Sequence, residues 1–459
     1  MAMKKITVGQ VAGACGGRLF GNEKDADIVI KNIFTDSRKV GEGSLFAAIK
    51  GERVDGHDFI IPCFEKGAVC AISEKEIETD KPYILVDSTL QALKDIAAFY
   101  RGLFDIPFIG VTGSVGKTST KEMLSSVLSQ KFKVHKTQGN FNNELGVPLT
   151  IFGLEEEHEI AVIEMGISDF GEMTRLSKIV RPDFCLITNI GCCHLENLID
   201  RDGVCKAKTE MFANMNPNGM IFLNGDDDKL AKIHEVTVEN HRIVPIFYGI
   251  SDKNTFHAEN ISGDVRDGIA CNIVYDNVKN RVFIPAIGTY MVTNALAAFA
   301  VGKALGLSDE EIVKGIAAYE TVGSRARVID TGFITIIDDC YNANPTSVQG
   351  AIDTLVKFPG RKVAVLGDMK ELGTKTQDYH IETGKYLHRH GVDVLVAVGD
   401  LAKNIYLGAQ MPEKSIYFAT TEEACERIYD VIKENDTVLV KASHSMHFEN
   451  ITKALEKLK

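Results

Sequence analysis

The sequence predicts an α/β protein of three domains. A small amino-terminal α/β domain covers residues 1–104, a central parallel sheet built around a phosphate-binding loop covers 105–322, and a carboxyl-terminal Rossmann-like domain covers 323–459. Three observations carry this reading. A chain of 459 residues centres on three domains at roughly 100 to 200 residues each. From Ile106 onward, apolar runs alternate with helical segments, the pattern of a parallel sheet covered by helices. One of those runs passes through a glycine turn directly into a helix, the order that builds a phosphate loop.

In the first segment the runs NIFTDSR, SLFAAIKG, AVCAIS and YILVDS read as short strands separated by Gly, Asp and Lys turns. In the central segment IPFIGVTG, EIAVIEMG, FCLITNIG and GMIFLNGD read as buried parallel strands. They are followed by a helix with Leu296, Phe299, Ala300, Ala304 and Leu305 at helical spacing. Near Gly323 a third set begins, with ITIID, KVAVLGD, DVLVAVGD, SIYFAT and DTVLVKAS.

Composition narrows the function. With 45% hydrophobic and 25% charged residues, 40 glycines and 11 prolines, the chain is an ordinary globular protein. A net charge of −12 disfavours a general nucleic-acid binder, which needs a basic face. Ten cysteines in 459 residues are too dilute for a disulfide framework. The stretch after Lys4 and Lys5 is too polar for a signal segment, so the cytosol is the expected compartment. The most apolar candidate span, LAAFAVGKALGL, is interrupted by Lys303, which argues against a membrane span.

The segment GVTGSVGKTSTKEMLSSVLSQ carries the most information. A strand over Phe108–Thr112 and a helix with Met123, Leu124, Val127 and Leu128 on one stripe bracket the loop Gly113, Ser114, Val115, Gly116, Lys117, Thr118 and Ser119. Its backbone N–H groups fall at a helix amino terminus, where orphan donors and the dipole favour phosphate. Lys117 is placed to meet the β/γ-phosphates, and Thr118 or Ser119 to offer a hydroxyl to Mg2+. Val111 stands where the general P-loop pattern has its first glycine, and a glycine turn with an exposed lysine is the plain alternative.

Two further polar residues follow buried strands at their carboxyl ends, beside this loop in a parallel sheet. Glu164 ends AVIEMG, and His194 follows CLITNI. A carboxylate and a neutral imidazole there can ligate Mg2+; a satisfied structural carboxylate and an ordinary loop histidine are the alternatives. Cys192 and Cys193 beside His194 suggest zinc, but adjacent thiols chelate one ion poorly and no CxxC or HxxxH partner is near. They read as small, partly buried residues. No guanine-reading NKxD sequence is present, which weakens a GTPase reading.

TGSVGKTSTKE, KTQGNFNNELGVPLT, IEMG, HLENL, KAKTEMF, TNALAA, DDCYNANP and LGDMKELG occur in the order found in Mur ligases, and the chain resembles that family over nearly its whole length. The GNFNNELGVP and DDCYNANP versions resemble those of the member that adds a dipeptide. The resemblance implies an enzyme using ATP and Mg2+ to join D-alanyl-D-alanine to UDP-N-acetylmuramoyl-tripeptide through an acyl phosphate. It also implies an amino-terminal domain for the UDP-sugar, a central P-loop-type ATPase domain and a closing carboxyl-terminal domain. No nucleic acid and no membrane span are expected, and a monomer is.

The resemblance also assigns residues. Glu164 and His194 match the family's magnesium ligands, and Lys208 of KAKTEMF matches its carbamylated lysine, an anion that orients metal. Lys117, His194 and Lys208 form the implied catalytic set. Asn294 corresponds to the residue reading adenine, Asp339 to the one holding ribose, and Arg325 to the arginine reaching the ATP phosphates. Asn142 and Asn143 lie in the substrate-facing loop, while Ser37, Arg38, Gly56 and His57 resemble UDP-contact positions. Two departures stand out: Val115 replaces a common asparagine, and His444 replaces a common arginine near the dipeptide site. A sister ligase adding a single amino acid, or glutamate to a folate, would share the loop, and so would a nucleotide-switched binding protein.

Overall fold

The computed structural model describes residues 3–263 and 266–458; residues 1, 2 and 459, at the two ends of the expected domains, lie outside them. Each of the thirteen apolar runs named above contains a strand. In the first segment, strands 18–20, 83–85, 68–73, 44–47 and 32–34 lie in that order, parallel except for the first pair. The central sheet is parallel throughout, in the order 246–248, 220–224, 184–187, 108–112, 160–164, 134–136. The third sheet runs 327–330, 335–338, 437–441, 362–367, 394–398, 415–418, with only its first pair antiparallel.

Burial explains the residue choice. Central strands of a parallel sheet are covered on both faces, and Phe108, Ile109, Val111, Val162, Ile163, Leu186 and Ile187 are fully buried. The helix Lys117–Leu128 buries Met123, Leu124, Val127 and Leu128. It packs on Tyr290–Ala304, a helix buried almost all round rather than on one stripe. One unit goes beyond the parallel expectation: strands 257–262, 269–275 and 278–284 form an antiparallel meander beside that helix. No helix among the described residues is long and apolar enough to cross a membrane.

The central sheet places the site. Strand 108–112 lies between 160–164 and 184–187, with Glu164 opposite Val111 and Ile187 opposite Thr112. The loop leaving Thr112 therefore has Glu164 on one flank and Thr188–Asn189 on the other, the arrangement that opens a ligand crevice at strand ends.

Candidate active site

The loop from Gly113 to Gly116 is held by its neighbours. Gly113 has φ +150°, and a Cβ there would come within 1.9 Å of Thr188 Oγ1, so only glycine fits. Thr188 Oγ1 donates to the Val115 carbonyl at 2.6 Å, and Asn189 brackets the same residue, donating to that carbonyl at 2.9 Å and accepting from Val115 N at 3.0 Å. These contacts fix the backbone cradle at Val115 without any side-chain amide there. Gly116, at φ +83°, caps the helix Lys117–Leu128, whose first-turn N–H groups lack intrahelical acceptors. The Lys117 ammonium folds back onto the Gly113 carbonyl at 2.8 Å.

Beside the loop, Glu164 is 1% exposed. Its Oε1 accepts from Thr118 Oγ1 at 3.1 Å and from Asn142 Nδ2 at 2.7 Å. Its Oε2 is buried without a hydrogen-bond donor among the described residues, 3.7 Å from the ammonium of Lys121. Lys121 is itself fully buried; it donates to the Thr137 carbonyl at 2.6 Å and pairs with Glu122 at 3.1 Å. An orphaned carboxylate oxygen next to a hydroxyl suits a hard divalent cation, which accepts oxygen donors and completes its shell with phosphate and water. Among the described residues no cluster of three His, Cys, Asp or Glu side chains could hold an ion unaided.

His194 stands at φ +51° before the short helix Leu195–Leu198. Its Nδ1 lies 2.6 Å from Oε2 of Glu371, a residue of the third sheet's loops. Cys193 packs Sγ 3.1 Å from Ser114 Oγ, and Cys192 lies 3.4 Å from the Tyr379 hydroxyl. Lys208, on the helix Arg201–Thr209, is 1% exposed and makes no hydrogen bond or ion pair among the described residues. Burial pushes its ammonium down to about 8, with the charge of Lys117 adding to the shift.

Between His194 and Lys208 the chain makes a strained turn. Ile199 has φ +73° and ψ −62°, with Asp200 N donating to the Leu198 carbonyl at 2.8 Å. A β-branched residue there is an outlier costing about 1–3 kcal/mol. The residue is 77% exposed, so little packing is lost when its side chain is removed. Ile199→Gly is therefore expected to stabilise the protein by about 1 kcal/mol after glycine's greater unfolded-state entropy is subtracted. Ile199→Ala keeps the strain. Urea midpoints should rank the glycine variant above both alanine variant and parent; equal midpoints would mean the turn is unstrained.

A cleft of about 400 Å3 lies over the loop, walled by the central and third domains. Ser114 through Ser119, Asn142, Asn143, Glu164, His194, Arg325 and Asp339 all line it. Several expected residues do not. Gly113, which opens the loop, and the buried Lys208 are not among the residues that line the cleft. Asn294 is buried, accepting from Thr120 Oγ1 at 3.1 Å. Asn143 lines the cleft but spends its amide oxygen on Leu145 N and Gly146 N. Ser37, Arg38, Gly56 and His57 belong to the first sheet's loops, away from this cleft. There Arg38 pairs with Asp36 at 2.9 Å, and His57 has both ring nitrogens engaged, with Asp55 at 2.5 Å and Glu74 N at 3.0 Å. Gly56 approaches the Ile49 backbone too closely for a side chain.

The structure adds residues that the sequence left unmarked: Lys121, Thr188, Asn189, Tyr341, Glu371 and Lys441. Arg325 stacks its guanidinium 3.6 Å over the Tyr341 ring, whose centroid lies 5.3 Å from that of His444. Asp339 is committed to Lys441, at 2.6 Å through Oδ2, and to Ala326 N through Oδ1. Asn189 and Lys441 sit at or just past strand ends, where polar residues after buried runs are a readable signal.

Known proteins match the same architecture. Descriptions of the Mur ligase family match in three parts: "Mur ligase family, catalytic domain" over residues 29–101, "Mur ligase middle domain" over 111–302, and "Mur ligase, glutamate ligase domain" over 319–444. A UDP-N-acetylmuramoyl-tripeptide--D-alanyl-D-alanine ligase of Bacillus subtilis is 34% identical over 99% of both chains. The crystal structure of MurF from Acinetobacter baumannii superimposes over all of both chains with a TM-score of 0.92 at 34% identity. MurF of Thermotoga maritima, solved with ADP, covers 93% of this chain and 97% of its own, with a TM-score of 0.83 at 31% identity. The similarity spans every domain and every strand that shapes the cleft, and the chain belongs to the Mur ligase family.

Proposed function

We propose that this chain is an ATP-dependent ligase that adds D-alanyl-D-alanine to UDP-N-acetylmuramoyl-tripeptide, giving the pentapeptide precursor of peptidoglycan and so serving cell-wall growth, shape and division. The observation that carries the reading is a phosphate loop with Thr118, Asn142 and Glu164 converging beside it, in a chain matching ligases of that name over 99% of its length.

In this reading the loop amides and Lys117 hold the β- and γ-phosphates, and the third domain closes the cleft with Arg325 toward them. Thr118, Glu164 and His194 are the residues that would hold Mg2+, which when bound neutralises charge on the transferring phosphoryl group. Asn294 and Asp339 serve adenine and ribose; Asn294 must first exchange its bond with Thr120. Asn142 and Asn143 face the acceptor, and Ser37, Arg38, Gly56 and His57 shape the UDP-sugar site. Because both imidazole nitrogens of His57 are occupied, that residue acts by holding its loop. The segments 1–104, 105–322 and 323–459 act as the sugar, nucleotide and closing domains of a cytoplasmic monomer.

The chemistry starts from a poor electrophile, a carboxylate. Transfer of the γ-phosphoryl group to that carboxylate forms an acyl phosphate and releases ADP. The dipeptide amine then attacks the acyl carbon, and the tetrahedral adduct expels phosphate. Keeping water from the acyl phosphate is the task of the closed third domain. Lys208 bears the carbamate in this scheme; a buried, depressed ammonium supplies the neutral amine that reacts with CO2.

A panel of acceptors tests the assignment. With ATP, Mg2+ and UDP-N-acetylmuramoyl-tripeptide, D-alanyl-D-alanine should give the pentapeptide by mass spectrometry, while single amino acids give little product. Efficient use of a single amino acid would reassign the chain to a sister ligase.

A further inference from the structure

The loop 368–373 of the third domain reaches the central domain beside His194. Asp368 anchors it, its Oδ1 accepting from Leu401 N and Ala402 N at 2.9 Å each. Met369 N donates to His380 Nε2 at 3.0 Å, Lys370 N to Ser443 Oγ at 2.9 Å, and Leu372 is buried. At the tip Gly373 lies so close to the Leu195–Glu196 backbone that a Cβ would stand 3.2 Å from it. Between these anchors Glu371 is held at φ +63°, a conformation that a non-glycine residue keeps only where its surroundings impose it.

The result is a carboxylate presented to one ring nitrogen. Glu371 Oε2 stands 2.6 Å from His194 Nδ1, and Glu371 has no other hydrogen bond or ion pair among the described residues. The Nδ1 atom is buried and, among the described residues, has no donor or acceptor in hydrogen-bond alignment. A small rotation of the 59%-exposed carboxylate supplies one. A ligating histidine characteristically donates its second ring N–H to a carboxylate, which fixes the tautomer and aims the other nitrogen.

We propose that Glu371 is a positioning residue for His194: it holds the proton on Nδ1 and leaves the Nε2 lone pair facing the cleft, so that the third domain completes the cation site of the central one. The inference rests on the reading of His194 as a magnesium ligand. It makes domain docking and cation binding mutually dependent, because the carboxylate arrives only with the third domain.

The test uses full-length enzyme and two readouts. Nitrogen-15 histidine NMR of the metal-free protein should show His194 protonated at Nδ1 in the parent and in Glu371→Gln, whose amide oxygen can still accept. In Glu371→Ala the proton should move to Nε2. Mn2+ binding in the presence of ADP, followed by electron paramagnetic resonance, should weaken about tenfold in Glu371→Ala and stay near parent in Glu371→Gln. Adding Glu371→Ala to His194→Ala should cause no further loss. An equal loss in both backgrounds, or an unchanged tautomer and affinity in Glu371→Ala, would overturn the proposal while leaving His194 as a ligand. An unchanged Mn2+ affinity in His194→Ala would overturn the ligand reading and this proposal with it.

Discussion

Lys117→Ala is expected to lower turnover by about three orders of magnitude, roughly 4 kcal/mol of transition-state stabilisation, in a protein that remains folded. The residue opens a helix at the mouth of the cleft, and among the described residues the one hydrogen bond its ammonium makes is to the Gly113 carbonyl. Losing that bond costs about 1 kcal/mol of stability, small against a three-domain core. What disappears is the only side-chain cation of the loop itself, at the point where the γ-phosphoryl group gathers charge. Initial rates at saturating ATP, paired with circular dichroism, decide it. Near-parent turnover in a folded variant would refute the loop assignment.

Lys208→Ala should depress activity by roughly two to three orders of magnitude, in keeping with removal of a single charged group from a water-poor site. The side chain is buried, makes no ion pair among the described residues, and has its charged form disfavoured by burial and by the charge of Lys117. Two neighbouring ammonium groups repel, whereas a carbamate on Lys208 would attract Lys117 and any bound cation. Formate or acetate should partly restore the alanine variant by occupying the vacated space, but should leave the bulkier Lys208→Met inactive. The sign of the pH effect follows from the amine: only its neutral form attacks CO2. At fixed dissolved CO2, reactivation after decarbamylation should therefore speed up as pH rises and level off above about 8. An unmodified lysine, found by native mass spectrometry in fully active enzyme, would contradict the carbamate role.

Much of this arrangement is legible in the sequence because parallel strands buried on both faces leave uninterrupted apolar runs. AVIEMG and CLITNIG are visible as strands, and their ends point to Glu164 and to the segment carrying His194. The antiparallel meander at 257–284 is harder to see: its strands are half exposed, and ENIS and VKNR each carry three polar residues to one apolar. Its turn did leave a mark, since Asp276 and Asn277 both adopt positive φ, at +48° and +63°, the conformation of a two-residue hairpin. Edge strands such as Val134–Lys136 are too short to stand out.

Within the site, residues that act locally were readable, whereas those that act by pairing were not. Nothing in the sequence marks Lys121, and only the fold reveals it buried against Glu122 and Glu164. Glu371 lies 177 positions from His194, a partnership no spacing rule can reach. His57 shows the opposite case: its residue type suits a ligand contact, but Asp55 and Glu74 use both of its nitrogens.

The central claim is activation of a carboxylate by ATP before dipeptide attack, and isotope transfer tests it most directly. A carboxylate converted to an acyl phosphate must surrender one of its own oxygens to the phosphate released. With oxygen-18 in the terminal carboxylate of UDP-N-acetylmuramoyl-tripeptide, unlabelled ATP and D-alanyl-D-alanine, mass spectrometry should find one labelled oxygen in each inorganic phosphate formed with pentapeptide. Pentapeptide accompanied by unlabelled phosphate would contradict the acyl-phosphate step and the assignment of this cleft as its site.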